Sequence, residues 1–150
     1  MDAIEWQLAM ESKMRSIRKN DTWDLVKLPK NRRALLCRWV FPLKQTTASS
    51  SPKYKARIIA KGFQQEYGVD FDEVFSPVVK MTTLGFLLGV VMLEDLELLQ
   101  LDVKMAFLHG DLDEEIYMEK PQGFASPDRE HLICRLRKSL YGLKQAPWQW

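Results

Sequence analysis

Leu98-Leu99-Gln100-Leu101-Asp102-Val103-Lys104, running into Met105-Ala106-Phe107, is the stretch on which the fold turns. Period two sends Leu99, Leu101 and Val103 to one side and Leu98, Gln100, Asp102 and Lys104 to the other. That pattern predicts a central strand over Leu98 to Val103. An ionised carboxylate among such apolar neighbours is costly unless a cation or a wet cleft compensates it. An aspartate on the wet face of a strand is ordinarily structural, and Asp is a poor strand former. Here, however, the strand stops just after Asp102, and Phe107 stands five residues on, where the chain turns. The pair marks Asp102 as a candidate ligand for a hard cation, which needs further oxygen donors from elsewhere.

Downstream, the Gly110-Asp111 turn leads into a second strand, Glu115 to Glu119, ended by Pro121-Gln122-Gly123; His131 to Leu136 is a third. Leu140-Tyr141-Gly142-Leu143 reads as a turn into a last helix. Upstream, Thr82 or Thr83 is positioned to cap a helix through Leu93 that is apolar on nearly every side and so expected to be buried. Gly85 and Gly89 weaken it, each by about 1 kcal/mol relative to Ala. Gly62 to Lys80, with Gly68, Pro77, Phe63, Phe71 and Phe75, reads as irregular chain pinned to the core.

Two period-two runs precede it. Cys37, Trp39, Phe41 and Leu43 share one face of the first, and Tyr54, Ala56, Ile58 and Ala60 share one face of the second. The polar connector Thr46-Thr47-Ala48-Ser49-Ser50-Ser51-Pro52 joins them, which predicts a long β-hairpin. Thr22 to Leu28 is a short strand closed by Pro29. Asp2-x-x-Glu5 fits a capping box opening a helix, whose stripe of Trp6, Ala9, Met10 and Ile17 runs down to Asn20.

The other face of the hairpin gathers Lys55, Arg57 and Lys61, with Arg38 and Lys44 from the partner strand. Edge lysines often serve only to prevent sheet-to-sheet pairing. The alternative is a flat cationic surface that meets phosphates, with Arg57 suited to a bidentate grip.

Composition sets the outer bounds. The chain has 150 residues, 46% hydrophobic, 28% charged and 11% aromatic, enough for one domain with a real core. A net charge of +2 announces no nucleic-acid partner by itself, so the placement of the bases must carry that argument. Cys37 and Cys134 are isolated thiols, which points to a reducing compartment, and their separations from His109 and His131 match no zinc pattern. The first residues are acidic and show no signal peptide, and the block Leu84 to Leu93 is about half the length that spans a bilayer. An intracellular protein, cytoplasmic or associated with a virus-like particle and not secreted, is expected. The ending Pro147-Trp148-Gln149-Trp150 is expected to belong to a piece of something longer.

Several runs, in order and spacing, resemble the reverse transcriptase region of copia-type LTR retrotransposon Pol polyproteins. They are Cys37-Arg38-Trp39-Val40-Phe41, Tyr54-Lys55-Ala56-Arg57-Ile58-Ile59-Ala60-Lys61-Gly62-Phe63 and Phe75-Ser76-Pro77-Val78-Val79-Lys80. They continue with Gln100 to Leu112, Ile116-Tyr117-Met118 and Ser139-Leu140-Tyr141-Gly142-Leu143-Lys144-Gln145-Ala146-Pro147. The resemblance covers nearly the whole chain. It implies an α+β fold, the fingers and first part of the palm of a right-hand polymerase. The divisions it suggests are a leading helix at 1–20, a fingers-like hairpin region at 21–83, a partial palm at 84–118 and a fingers return with the start of a template-contact helix at 119–150.

The same resemblance implies roles. Arg57 and Lys61, with Lys55 beside them, would contact the triphosphate of an incoming deoxynucleotide. Asp102 would be the first catalytic, metal-binding aspartate, and Phe107 the aromatic that excludes a 2′-hydroxyl. The turn holding Tyr141, Gly142, Lys144 and Pro147 would line the nucleotide site and touch the template. The intact enzyme would use Mg2+, an RNA template and a DNA primer, with two ions about 4 Å apart bridging the reacting groups.

Departures matter as much. The paired aspartates that the resemblance calls for are absent from these residues, Trp148 stands where an arginine is usual, and so does Gly85. The acids Asp111, Asp113, Glu114 and Glu115 read as a solvated loop. The chain by itself is therefore expected not to polymerise. A non-catalytic nucleic-acid-binding module built on Lys55, Arg57 and Lys61, or a non-functional relic of a mobile element, are the competing readings.

Overall fold

Alternation of inward and outward side chains governs most of the architecture. A computed structural model describes residues 2–44, 52–72, 74, 76, 79–103, 105–124, 129 and 131–149. Helix α1 (Asp2–Lys19) is followed by β1 (Trp23–Val26), β2 (Cys37–Val40), β3 (Leu43–Lys44), β4 (Lys53–Tyr54) and β5 (Arg57–Ala60). Then come α2 (Met81–Leu93), β6 (Tyr117–Met118) and β7 (Ile133–Leu136), with short 3-10 turns at Gly62–Gln64 and Ala106–His109.

The predicted hairpin forms, but as two antiparallel ladders. β2 pairs with β5 in the register Cys37↔Ala60 and Val40↔Arg57, and β3 pairs with β4 through Leu43↔Tyr54. The break falls at Pro42, which has no N–H to give; its carbonyl still accepts the Lys55 N–H at 3.2 Å. The serine-rich connector lies outside the described residues apart from Pro52. A second sheet has the order β1-β7-β6, all antiparallel, with Leu25↔Cys134 and Met118↔Cys134 in register.

The core lies between the two sheets and α1. Ala56, Ile58 and Ala60 are buried, as their shared face predicts, and Ile58 and Ala60 join Ile17, Leu35, Met118 and Leu136 in the core cluster. Leu140, Leu143 and Ala146 close the same cluster from the last turns. Each fully buried aliphatic side chain contributes about 1.5–3 kcal/mol. On α1 the predicted stripe is only half-buried at Trp6, Ala9 and Met10, and Met14 joins Ile17 inside. Asp2 is already helical, and its carboxylate accepts from Tyr54 Oη at 3.2 Å.

Four expectations fail. Helix α2 forms where predicted, yet none of its residues is buried; Phe86 is 72% and Met92 81% exposed. Its N-cap is Lys80 without a side-chain bond, so neither threonine caps it. Leu98 to Val103 is not a strand: the backbone there is irregular, with Leu99 81% and Leu101 78% exposed. A strand exists only where a neighbour takes up its N–H and C=O groups, and no described strand lies alongside. Apolar periodicity reports a need for burial, not the presence of a partner. Nor does a last helix form, since residues 141–148 run through successive turns. Mixed helix and antiparallel sheet, an α+β class, holds throughout. No described helix is long and apolar enough to cross a membrane.

Candidate functional site

The cationic hairpin face does not lie open to solvent on all sides. A cleft of about 540 Å³ separates α1 from β4 and β5, and Met105 and Tyr141 line it too. Lys53, Lys55 and Arg57 stand along one wall. Burial and the neighbouring charges of Lys44, Lys53 and Arg57 lower the pKa of Lys55, while Asp102 opposes them. The carboxylate of Asp102 is thus felt by this cationic row, although Asp102 itself is exposed.

Arg57 is aimed by its place at the start of β5, and its guanidinium lies 5.7 Å from the centre of the Tyr141 ring. Tyr141 is held from behind. Its carbonyl accepts the Ala60 N–H at 2.8 Å. Gly142 follows at φ +95°, where a Cβ would sit 2.1 Å from Ala60 O. Only glycine fits so close to the strand. Phe107 then meets Tyr141 edge-on, with ring centres 4.6 Å apart at 86°. Met105, left-handed at φ +60°, makes the bend that delivers Phe107, a conformation that costs a non-glycine residue about 1–2 kcal/mol. Arg57, Tyr141 and Phe107 therefore form one continuous stack beside Lys55.

The other candidates are placed elsewhere. Lys61 is half-buried beyond the end of β5, its N–H donating to Leu36 O at 2.8 Å. Lys144 turns its Nζ over the Phe71 ring at 4.3 Å, and its N–H donates to Gln65 Oε1 at 2.8 Å. Pro147 is exposed, and its carbonyl accepts from Ser76 Oγ at 3.1 Å. None of these three lines the cleft.

Sequence reasoning missed a buried polar lock behind the stack. Gln65 Nε2 donates to Gln145 Oε1 at 2.9 Å, and Gln145 Nε2 donates to Asp70 O at 2.9 Å. Asp70 Oδ2 in turn accepts the Glu66 N–H at 2.9 Å. These bonds tie the chain after β5 to the turn carrying Tyr141. Glutamines eighty residues apart give no local signal. Sequence reasoning also missed Ser12, Lys13 and Ser16 on α1, which face the cleft; a lysine falling between Met10 and Ile17 of the helix stripe was the available sign.

The donor set does not suit the implied magnesium. Asp102 is exposed, and no three His, Cys, Asp or Glu side chains converge among the described residues. One carboxylate supplies too few hard oxygens for two divalent ions. The thiols are equally quiet: burial, then Glu119, pushes Cys37 up to about 11, and burial pushes Cys134 up to about 12.

The chain belongs to a polymerase family: the family model described as Reverse transcriptase (RNA-dependent DNA polymerase) matches residues 20–150. It is 57% identical over 142 residues, 95% of its length, to the Retrovirus-related Pol polyprotein from transposon TNT 1-94 of Nicotiana tabacum. Against the Retrovirus-related Pol polyprotein from transposon RE1 of Arabidopsis thaliana it is 45% identical over 146 residues, 97% of its length. These bear out the resemblance read from the motifs. The chain spans 11% and 10% of those two polyproteins. No solved structure matches it.

Proposed function

We propose that the chain is the nucleotide-facing part of an RNA-directed DNA polymerase: the hairpin as fingers and the residues around Asp102 and Phe107 as the first part of the palm. Lys55 and Arg57 neutralise the triphosphate of an incoming deoxynucleotide, and fixed cations of this kind favour the charge that develops on phosphoryl transfer. Tyr141 braces Arg57, and Phe107 supplies the bulk against which a ribose 2′-hydroxyl would collide. Asp102 contributes one oxygen donor toward magnesium; the others must come from residues these 150 do not include, so this chain alone does not extend a primer.

The observation that carries the reading is the Arg57–Tyr141–Phe107 stack, which unites residues far apart in sequence at one edge of the basic cleft. Titration of the purified chain with a deoxynucleoside triphosphate tests it. Arg57→Ala should weaken binding about tenfold, the scale of one lost charge-assisted hydrogen bond. Unchanged binding in that variant would overturn the assignment, and template-dependent extension by the unaided chain would overturn its predicted inactivity.

A second reading, a non-catalytic nucleic-acid-binding module, draws on the same cationic row. It expects salt-sensitive binding of oligonucleotides that weakens on replacing Lys55, Arg57 and Lys61 together, with no preference for free triphosphates.

A further inference from the structure

The cleft has a second wall, and its chemistry is unexplained by the hairpin alone. Helix α1 lies across the hairpin through Trp6, whose ring meets Phe41 and Tyr54 at 5.2 Å and 4.7 Å between centres. Trp6, Ala9, Lys13 and Ser16 follow one another at three- and four-residue steps, so one helix face carries all four. Lys13 is consequently brought into the cleft beside Ser12 and Ser16, opposite Lys55 and Arg57.

We propose that Lys13 is a phosphate-binding residue, and that Lys13 and Arg57 hold one linear polyphosphate between the helix and the hairpin. The inference rests on the nucleotide reading of the cleft and extends it to a wall that the hairpin motifs do not include. Lys13 is half-buried, yet no ion pair among the described residues involves it. Burial and then the nearby Arg57 charge both depress its ammonium, so two cations face the same space, neither of them in an ion pair among the described residues. A polyanion relieves both penalties at once, which a neutral sugar or base does not. The cleft volume falls within the range of about 300–1,000 Å³ typical of small-molecule sites. Ser12 and Ser16, one helical turn apart, line the cleft with Lys13, although Ser16 Oγ already rests against Met105 Sδ. Glu5 is the acid among the cleft-lining residues, and it must work against an anion there.

Calorimetric titration of the whole 150-residue chain with inorganic tripolyphosphate, dTTP and thymidine tests this, with circular dichroism confirming that each variant keeps its fold. Lys13→Met retains the apolar stem and should weaken tripolyphosphate and dTTP about tenfold alike. Lys13→Arg should stay within about threefold of the parent, and Glu5→Gln should tighten binding a few-fold. Thymidine should bind equally weakly to all. If Arg57→Ala weakens both phosphates while Lys13→Met leaves them unchanged, the role of Lys13 falls and the nucleotide reading stands. If neither substitution matters, or the parent binds no tripolyphosphate, both fall.

Discussion

The hairpin block and the segment from Met81 to Met105 are both rich in apolar side chains, and they meet opposite fates. In the first, Ile58 is completely buried between two sheets and a helix. In the second, α2 buries nothing, and Leu99 and Leu101 face solvent. The difference is not hydrophobicity but company: β2 and β5 carry each other's partner within a short span of chain, whereas α2 and the stretch through Asp102 have none among the described residues. Contiguous apolar exposure of this size ordinarily marks a contact surface.

The sharpest way to break that contrast is to mutate both sides. Ile58→Ala should lower the stability of the chain by about 2–5 kcal/mol, and Leu101→Ser should change it by no more than about 0.5 kcal/mol, both read from urea midpoints. A Leu101→Ser variant that unfolds as readily as Ile58→Ala would show that the two regions share one core after all. A second pair uses glycines. Gly142→Ala forces a left-handed alanine against Ala60 O and should cost about 3 kcal/mol, whereas Gly89→Ala enters open space on α2 and should only raise helicity by circular dichroism. Third, Gln145→Ala leaves the buried Gln65 amide short of a partner and should cost about 2 kcal/mol in the same denaturation assay.

The smallest effect concerns the thiols. Cys37 and Cys134 stand at about 11 and about 12 in the fold against an ordinary 9.0. The native state therefore keeps its thiol protons longer than the unfolded chain does. Their contribution to stability is complete below pH 9 and fades as pH rises from there through about 11 to 12. Alkylation by iodoacetamide at pH 8 should accordingly be slow in the folded chain and fast in urea; rapid native labelling of Cys134 would sink this.

Legibility followed the range of the interactions. The hairpin, its inward face and its basic outward face could be read because period two and neighbouring strands are local information. The family resemblance assigned Arg57 and the Tyr141 turn to one nucleotide site but not to mutual contact, and the backbone supplies the cause of that contact: Gly142 is what lets the turn approach Ala60. Burial of α2 and a strand at Asp102 could not be inferred, since an apolar pattern states a demand and says nothing of what satisfies it. Lys13 was passed over because a lone lysine on a helix stripe resembles solvated surface until the opposite wall is known. The Gln65–Gln145 lock, spanning eighty residues, left no trace in either neighbourhood.

Phe71 and Leu108 are both buried in the scaffold, and Gln145 fastens the region of the former to the turn carrying Tyr141. Residues 79–103, which lie between Phe71 and Leu108, are almost all exposed and bury nothing in that scaffold. Because closing a loop becomes only slowly more expensive with length, about 0.6 kcal/mol per doubling, additions or deletions within them should spare the remainder. That leaves room for the sequence around Asp102 to change without renegotiating the architecture that presents it.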